Sequence, residues 1–569
     1  MSDAPGAIPG GARGGPRSAP LVDGGARGGP RSAPLVDTSG GRPAYFNTGW
    51  TGGQNPWVIA LVVTMATFME VLDTSIANVS LPHIAGDLSV SQDESTWVLT
   101  SYLVSNAIVL PISGWLSTKM GRKRFYMTCV ATFTLSSFLC GMAPSLGMLI
   151  FFRVLQGIGG GGLGPSEQAI LADTFPPSRR GMAMAVYGMA VVLAPAIGPT
   201  LGGFITDNFN WRWVFFINVP VGLLSLILSN RVVTDPPHLK LARENAVGVA
   251  IDWLGLALIA IALGCFEFVL DKGQEDDWFH APVIVWFSVV SATAFVAFVT
   301  WEWNHPNPVV DLKMLKRRSF AVSNVLMLVL GIALFGSTVL LPQYLQILMG
   351  YTAQQSGMAL SPGGLVVICL LPLVGRSIGK MDARLLATFG FAVLSGSLFF
   401  MAVTVDLHMD FATAVELRAI QSVGLAFLFV PINTMSYASV APQKYNQVSG
   451  IMNLSRNIGG DIGIAFVTTL IARRAQVHQN ELGAHATALS TTLQGRLDAL
   501  AHAMQHAGFG AAQSIARASG MMYRQLLVQA TQLAYLDALR VLAFATALMV
   551  PLVWLAERPP ARGAPSAGH

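Results

Sequence analysis

The chain has 569 residues, 53% hydrophobic and only 11% Asp, Glu, Lys or Arg, with mean hydropathy +0.54. Soluble domains carry about 25% charged residues, so 35 basic and 30 acidic side chains cannot cover a water-soluble protein of this length. A soluble multidomain enzyme is excluded. With roughly half the chain in spans of about 20 residues, about fourteen membrane helices are expected, and the fold class is all-α and polytopic.

Residues 1–50 are rich in Gly, Pro and Arg, and Gly10–Asp23 (GGARGGPRSAPLVD) recurs unchanged at Gly24–Asp37. With only short apolar triplets this segment is expected to be a disordered tail. The repeat reads as a duplication without a role, or as a weak anionic-lipid contact through its arginines. No apolar core of a cleaved signal peptide precedes the first long apolar run near Pro56, which is expected to serve as an uncleaved anchor.

Apolar runs follow at 56–80, 94–116, 125–143, 146–172, 183–206 and 214–230, a first six-helix bundle over 56–230. Two more, 251–270 and 281–301, stand between this bundle and a second over 319–557. The second bundle comprises 319–346, 354–375, 385–405, 411–440, 448–472 and 538–556, with an extracytoplasmic helical loop over 473–537 and a tail at 558–569. Most Lys and Arg fall in the N-terminal tail and in alternate loops. That bias is expected to put both termini in the cytoplasm. It also accounts for a pI near 9.1 without any nucleic-acid partner.

Ionisable groups within spans are costly and mark functional sites. Glu70 and Asp73 lie three apart in the first span, on one helix face. Asp73 and Arg153 of the fourth span lie about 10 Å below the same surface, at 1.5 Å rise per residue. They are expected to face each other or to share a water-filled cavity. A carboxylate that alternates between a low-dielectric site and a nearby Arg binds and releases a proton. The competing reading is a fixed ion pair joining spans one and four. Glu167, also in span four, is a further proton-coupling candidate, and Gln156, Asn433, Asn453, Arg456 and Asp461 are candidate cavity groups. Arg456 and Asp461 are five apart, poorly spaced to pair with each other, so each is expected to meet a neighbouring helix.

The sequence repeats. Arg153-Val-Leu-Gln156-Gly-Ile-Gly159 and Arg418-Ala-Ile-Gln421-Ser-Val-Gly424 both read R-x-x-Q-x-x-G, 265 residues apart. Gly114–Lys123 aligns with Gly375–Arg384 at 261. A duplicated six-helix half with two helices inserted between the copies explains both offsets. Parallel halves of this kind typify major-facilitator transporters, whose substrate site lies between the halves near the midplane.

Several motifs carry a resemblance to a known family. Gly114–Arg124 (GWLSTKMGRKR) resembles the loop motif of major-facilitator transporters, with Gly114, Gly121, Arg122 and Lys123 as its conformational residues. Arg153–Gly157 (RVLQG) resembles their fourth-helix motif, and Gly198-Pro199-Thr200-Leu201-Gly202-Gly203 their fifth-helix antiporter motif. Leu72–Val79 (LDTSIANV) and Trp211–Pro220 (WRWVFFINVP) are similar to signatures of the fourteen-helix drug:proton antiporters of the EmrB/QacA type, on the EmrB side. Where many relatives carry an acid in the loop motif, this chain has Thr118. Asp382, beside the second-half motifs that include Arg418, is the alternative gating acid.

The resemblance implies a proton-coupled exporter of hydrophobic or amphipathic toxic compounds in a bacterial inner membrane, working with a periplasmic adaptor and an outer-membrane channel. The alternative is a major-facilitator exporter of a native metabolite or toxin. No catalytic, cofactor or metal motif appears, so no enzyme is expected. Gly157–Gly162 formally fits GxGxxG, but it lies inside a membrane helix with no strand before it. Cys129, Cys140, Cys265 and Cys369 lie in apolar runs and read as small core residues. In the external segment Leu489, Leu493, Leu497, Leu500 and Met504 recur as the stripe of an amphipathic helix. That stripe is expected to lie on the membrane, to pack on the helix entering the last span, or to meet the adaptor.

Overall fold

The computed structural model describes residues 49–557, apart from 177, 238, 240–251, 379, 439, 442–443 and 487–489. The expectations for both tails, and for Leu489, lie outside these residues. Among the described residues there is no β-strand. The helices are α1 (Pro56–Leu88), α2 (Trp97–Met120), α3 (Arg122–Gly141), α4 (Leu146–Thr174), α5 (Arg180–Asn208) and α6 (Trp213–Val232). They continue with α7 (Trp253–Lys272), α8 (Pro282–Asn304), α9 (Arg318–Ile347), α10 (Ala353–Ser377), α11 (Ala383–Thr404) and α12 (Phe411–Ala438). Last come α13 (Tyr445–His485), α14 (Thr491–His506) and α15 (Ala511–Leu552).

Eleven described helices are long and apolar enough to cross a membrane, and α5 makes twelve when its two segments, bent by 41° between Pro195 and Ile197, count as one span. The other two expected spans are also helices, α3 and α13. Charged and hydroxyl residues such as Arg122, Lys123, Arg456 and Asp461 give them a more polar composition than their neighbours. The protein is an all-α, multi-pass membrane protein.

Local chemistry sets the helix ends. Asn55 caps α1 through the Trp57 amide, with Pro56 in the first turn, where its missing N–H costs nothing. Thr352 and Gln355 form a reciprocal capping box at α10. Gly121, at φ +88°, turns the chain between α2 and α3, a conformation that side chains with a Cβ rarely adopt.

Successive helices run up and down, so one end of the bundle gathers Lys119, Arg122, Lys123, Arg180 and Lys316–Arg318; this is the basic end. The halves meet along α5 against α10 and α2 against α13. Glycines make these approaches close: a Cβ on Gly114 would lie 3.0 Å from the backbone of Asn446 and Gln447, and one on Gly375 2.9 Å from the Gly181 carbonyl. Asn446 donates to Ser117 (2.9 Å), Ser449 to the Pro165 carbonyl (2.7 Å) and Arg180 to Tyr445 (2.8 Å). The seam is therefore shut at the basic end.

The segment 473–537 is almost wholly helical. α13 runs unbroken to His485, and α15 begins at Ala511. α14 packs against α15 with Leu493, Leu497, Leu500 and Met504 half-buried, so the amphipathic stripe covers the helix entering the last span.

Candidate functional site

Asp73 and Arg153 do face each other. The Asp73 carboxylate takes Arg153 Nη1 on one oxygen (2.6 Å), and Gln156 (2.9 Å) and Asn218 (2.6 Å) on the other. Arg153 also donates to the Val98 carbonyl (2.8 Å) and to Gln156 Oε1 (2.8 Å). Its guanidinium lies 4.3 Å from the Tyr102 ring centre and 5.6 Å from that of Phe215, where aromatic faces favour a cation. Both ions are closed off, Arg153 at 0% exposure and Asp73 at 1%. Of the two expected arrangements, direct facing holds; the pair is sealed by neutral donors rather than wetted by a cavity. The fourth-helix motif explains itself locally, since Arg and Gln three apart share one helix face and grip the same carboxylate.

Glu70 lies beside this cluster with different partners. Its Oε1 accepts from Asn106 (3.1 Å) and Tyr102 (3.4 Å), both neutral and both on α2. Tyr102 therefore touches both sites, its ring on Arg153 and its hydroxyl on Glu70. Across the seam, the charge of Arg456 on α13 acts electrostatically on Glu70. Within its own helix Arg456 reaches only Asn457 (3.3 and 3.4 Å). Glu167 is fully buried and accepts from Thr67 of α1. The α1–α2–α4 interface thus holds three carboxyls in separate environments.

The candidate cavity residues separate into two kinds. Asn453 accepts from Gln168 (3.3 Å) and Tyr187 (3.4 Å) across the seam, while donating to Ser449 on its own helix. Asn433 is buried and bonds back to the Phe429 carbonyl (2.9 Å), a contact within α12. Asp461 meets a carboxyl absent from the sequence expectations, Glu267 of α7. Asn218, Tyr102 and Asn106 were also missed, because neutral polar residues within apolar runs give no charge signal. Glu267 did give one: it is an acid inside an apolar span, the property that marks Glu70.

The loop-motif residues form a lock at the basic end. Buried Arg122 binds Asp173 at the foot of α4 and the Ala169 carbonyl (3.0 Å). Lys123 donates through its amide to Asp235 (2.8 Å) and through Nζ to the Asn230 carbonyl (2.5 Å). Thr118 bonds only to Gly114 of its own helix among the described contacts. In the second half Asp382 caps α11 and binds Arg384 (2.9 Å), which also reaches the Ala556 carbonyl.

On α5, a Cβ on Gly198 would collide with Ser75 of α1 and one on Gly202 would sit tightly at 3.1 Å from Ile76, and the Pro199–Thr200 face meets Gly357 of α10. Gly203 departs from the expectation: nothing lies within 4 Å of the place a Cβ would occupy, so no helix approach requires it. The cysteine expectation also needs correcting. Cys129 and Cys140 are buried, Cys265 is half-buried and Cys369 is exposed. A cavity of about 440 Å³ between α2, α3 and α4, lined by residues such as Val109, Ile112, Cys129 and Ile158, is apolar and holds none of the charged candidates.

A multi-pass helical protein with repeated halves, an intramembrane Arg–Asp pair and a seam shut at its basic end is a two-domain secondary transporter in class. Residues 63–464 match the model of the Major Facilitator Superfamily. The multidrug export protein EmrB of Escherichia coli is 35% identical over 505 residues, covering 88% of this chain and 95% of that protein. EmrB of Haemophilus influenzae is 36% identical over 503 residues, covering 88% and 96%. The fatty acid resistance protein FarB of Neisseria gonorrhoeae is 34% identical over 508, covering 89% and 97%. The chain belongs to the major facilitator superfamily, as one of its EmrB-type transporters. Among solved structures, the proton:xylose symporter XylE shares the fold with TM-score 0.52 at 15% identity, covering 75% of this chain and 90% of that one.

Proposed function

We propose that the protein expels hydrophobic or amphipathic toxic compounds across a bacterial inner membrane in exchange for protons. Both termini lie in the cytoplasm, and a periplasmic adaptor and an outer-membrane channel complete the pump. The arrangement of Glu70 and Asp73 carries this reading. One carboxylate is saturated by Arg153, Gln156 and Asn218; the other, three residues away, has only neutral hydrogen-bond donors and a distant cation on the opposite half. Protonating Glu70 removes its attraction to Arg456 and frees the halves to part. Tyr102 relays that change to the Arg153–Asp73 pair. Glu167 is the third group able to take the proton on its way through the first half.

The driving force is sufficient. Each pH unit of gradient supplies about 1.36 kcal/mol per proton, and 100 mV about 2.3 kcal/mol. Relatives named for multidrug export and fatty acid resistance support an amphipathic rather than a single defined substrate class. Proteoliposomes loaded with a compound panel test the reading, with and without an imposed pH gradient. Gradient-driven movement is expected in the native protein, and its loss in Glu70→Gln and Asp73→Asn. Movement that ignores the gradient, or survives in both variants, overturns it.

A further inference from the structure

The inserted pair α7–α8 lies outside the duplicated halves, yet α7 touches both of them away from the basic end. On one side Thr100 of α2 donates to Asp271, and Lys272 reaches Thr96 (2.7 Å). On the other, the Glu267 carboxyl is a side-chain neighbour of the Asp461 carboxyl of α13, and Trp278, just beyond α7, donates to Thr469 of α13 (3.0 Å). The closed contacts between α2 and α13 at Gly114–Asn446 and Ser117–Asn446 lie at the basic end. Farther along, α7 is bonded to both helices.

The Glu267–Asp461 contact has a chemical requirement. Two carboxylates each offer only acceptors, so a hydrogen bond between them exists only when one carries a proton. Glu267 is 4% exposed and Asp461 half-buried, so two adjacent anions there repel with less screening than in water. The titratable neighbours leave that repulsion uncompensated. On α7 and its C-terminal end, Asp271 and Glu275 add negative charge, while Lys272 is engaged by Glu275 (2.6 Å) and Thr96. Thr100 of α2 and Thr96 at its N-terminal end contribute hydroxyls, and α8 the Ser291 hydroxyl on the Ala262 carbonyl (2.8 Å). On α13, Arg456 lies five residues before Asp461 and reaches Asn457.

We propose that the Glu267–Asp461 pair binds a second transported proton and acts as the latch by which the inserted helix α7 ties the first half to the second. One proton shared between the two carboxyls holds α7 against α13. Its departure to water leaves two anions in contact and separates the helices, with Thr100 and Lys272 retaining α7 on the first half. The inserted pair is thereby a positioning element for the halves. This inference rests on reading the chain as a proton-driven transporter, and it locates a coupling group outside the Glu70–Asp73 region.

Cross-linking tests it without requiring transport. In a cysteine-free background Trp278→Cys and Thr469→Cys are introduced together, and the yield with a short bifunctional maleimide, normalised to monomaleimide labelling, is followed against pH in membranes. The normalised yield is expected to fall as pH rises, approaching about tenfold per pH unit beyond the midpoint, the slope for one shared proton. Glu267→Gln donates to Asp461 without a titrating proton, so its yield is expected to stay high and flat. Asp461→Asn is expected to be flat as well. A flat native profile, or an unchanged profile in both variants, overturns the latch. Glu70→Gln and Asp73→Asn are expected to keep the native profile while losing gradient-driven transport, so the two readings fail separately.

Discussion

Arg418 reaches Thr338 at 3.4 Å, in the place where its counterpart Arg153 holds Asp73 at 2.6 Å. The offset is the same 265 residues for both members of the pair. Each arginine also grips the glutamine three residues on, Gln421 at 2.7 Å and Gln156 at 2.8 Å. Duplication has preserved the scaffold while only the first half carries the acid. Among the described residues no ion pair involves Arg418, although it is buried.

Thr338→Asp therefore supplies a missing partner. A hydrogen bond to a charged group contributes about 1.5–3 kcal/mol, and Arg418 already bears its burial cost in the native protein. The variant is expected to unfold at higher temperature than the native protein in detergent. Its gradient-driven transport is expected to persist, because Glu70 and Asp73 are untouched. A lower unfolding midpoint counts against the structural equivalence of the two sites.

Asp73→Asn carries the opposite sign. It removes the charge facing a guanidinium that has no exposed surface, and breaking a buried pair from one side costs about 3–5 kcal/mol. Glu70→Gln removes a carboxylate held by neutral donors, so its stability cost is expected to be well below that of Asp73→Asn. Transport is expected to be lost in both. Unfolding midpoints in detergent, read beside transport, separate the groups: equal destabilisation contradicts the distinction between a saturated and a weakly held carboxylate.

The sequence revealed what rested on charge or repetition. The R-x-x-Q repeat anticipated that Arg153 and Arg418 would stand equivalently, and depth along two helices was enough to bring Asp73 to Arg153. Neutral partners were beyond that reasoning. Asn218 lies inside the Trp211–Pro220 signature, but its role shows only when α6 sets it 2.6 Å from Asp73. Tyr102 resembled any apolar-span aromatic until its ring and hydroxyl proved to serve different ions. Glu267 carries the same charge signal as Glu70, but it lies in an inserted helix that has no counterpart in the repeat. Gly203 shows the converse error: a motif position inherits a role from its neighbours, while its own surroundings are open.

Arg122 is expected to act through fold and gating together. It is 1% exposed and joins the α2–α3 turn to Asp173 and the Ala169 carbonyl. Arg122→Ala removes the buried guanidinium that faces Asp173, and breaking a buried pair from one side costs about 3–5 kcal/mol. Arg122→Lys restores the charge but not the planar fork, so partial recovery of the unfolding midpoint is expected. Full recovery with Lys would show that charge alone suffices at this corner.

Gly114 sets how tightly α2 and α13 close at the basic end. A Cβ there meets the backbone of Asn446 and Gln447 at 3.0 Å, and backbone cannot rotate away as a side-chain tip does. Gly114→Leu is expected to push α13 outward and break the Asn446–Ser117 bond, favouring the arrangement open at this end. Overpacking of this kind typically costs about 1–3 kcal/mol, enough to shift a two-state balance roughly five- to 150-fold at 1.36 kcal/mol per tenfold. Spin labels at half-buried Lys119 and exposed Lys444 report the change by pulsed electron resonance. Their distance distribution is expected to move to longer values in Gly114→Leu and to remain native-like in Gly203→Leu, since Gly203 has open space beside it. Equal shifts in the two variants would mean that close approach at Gly114 does not govern closure.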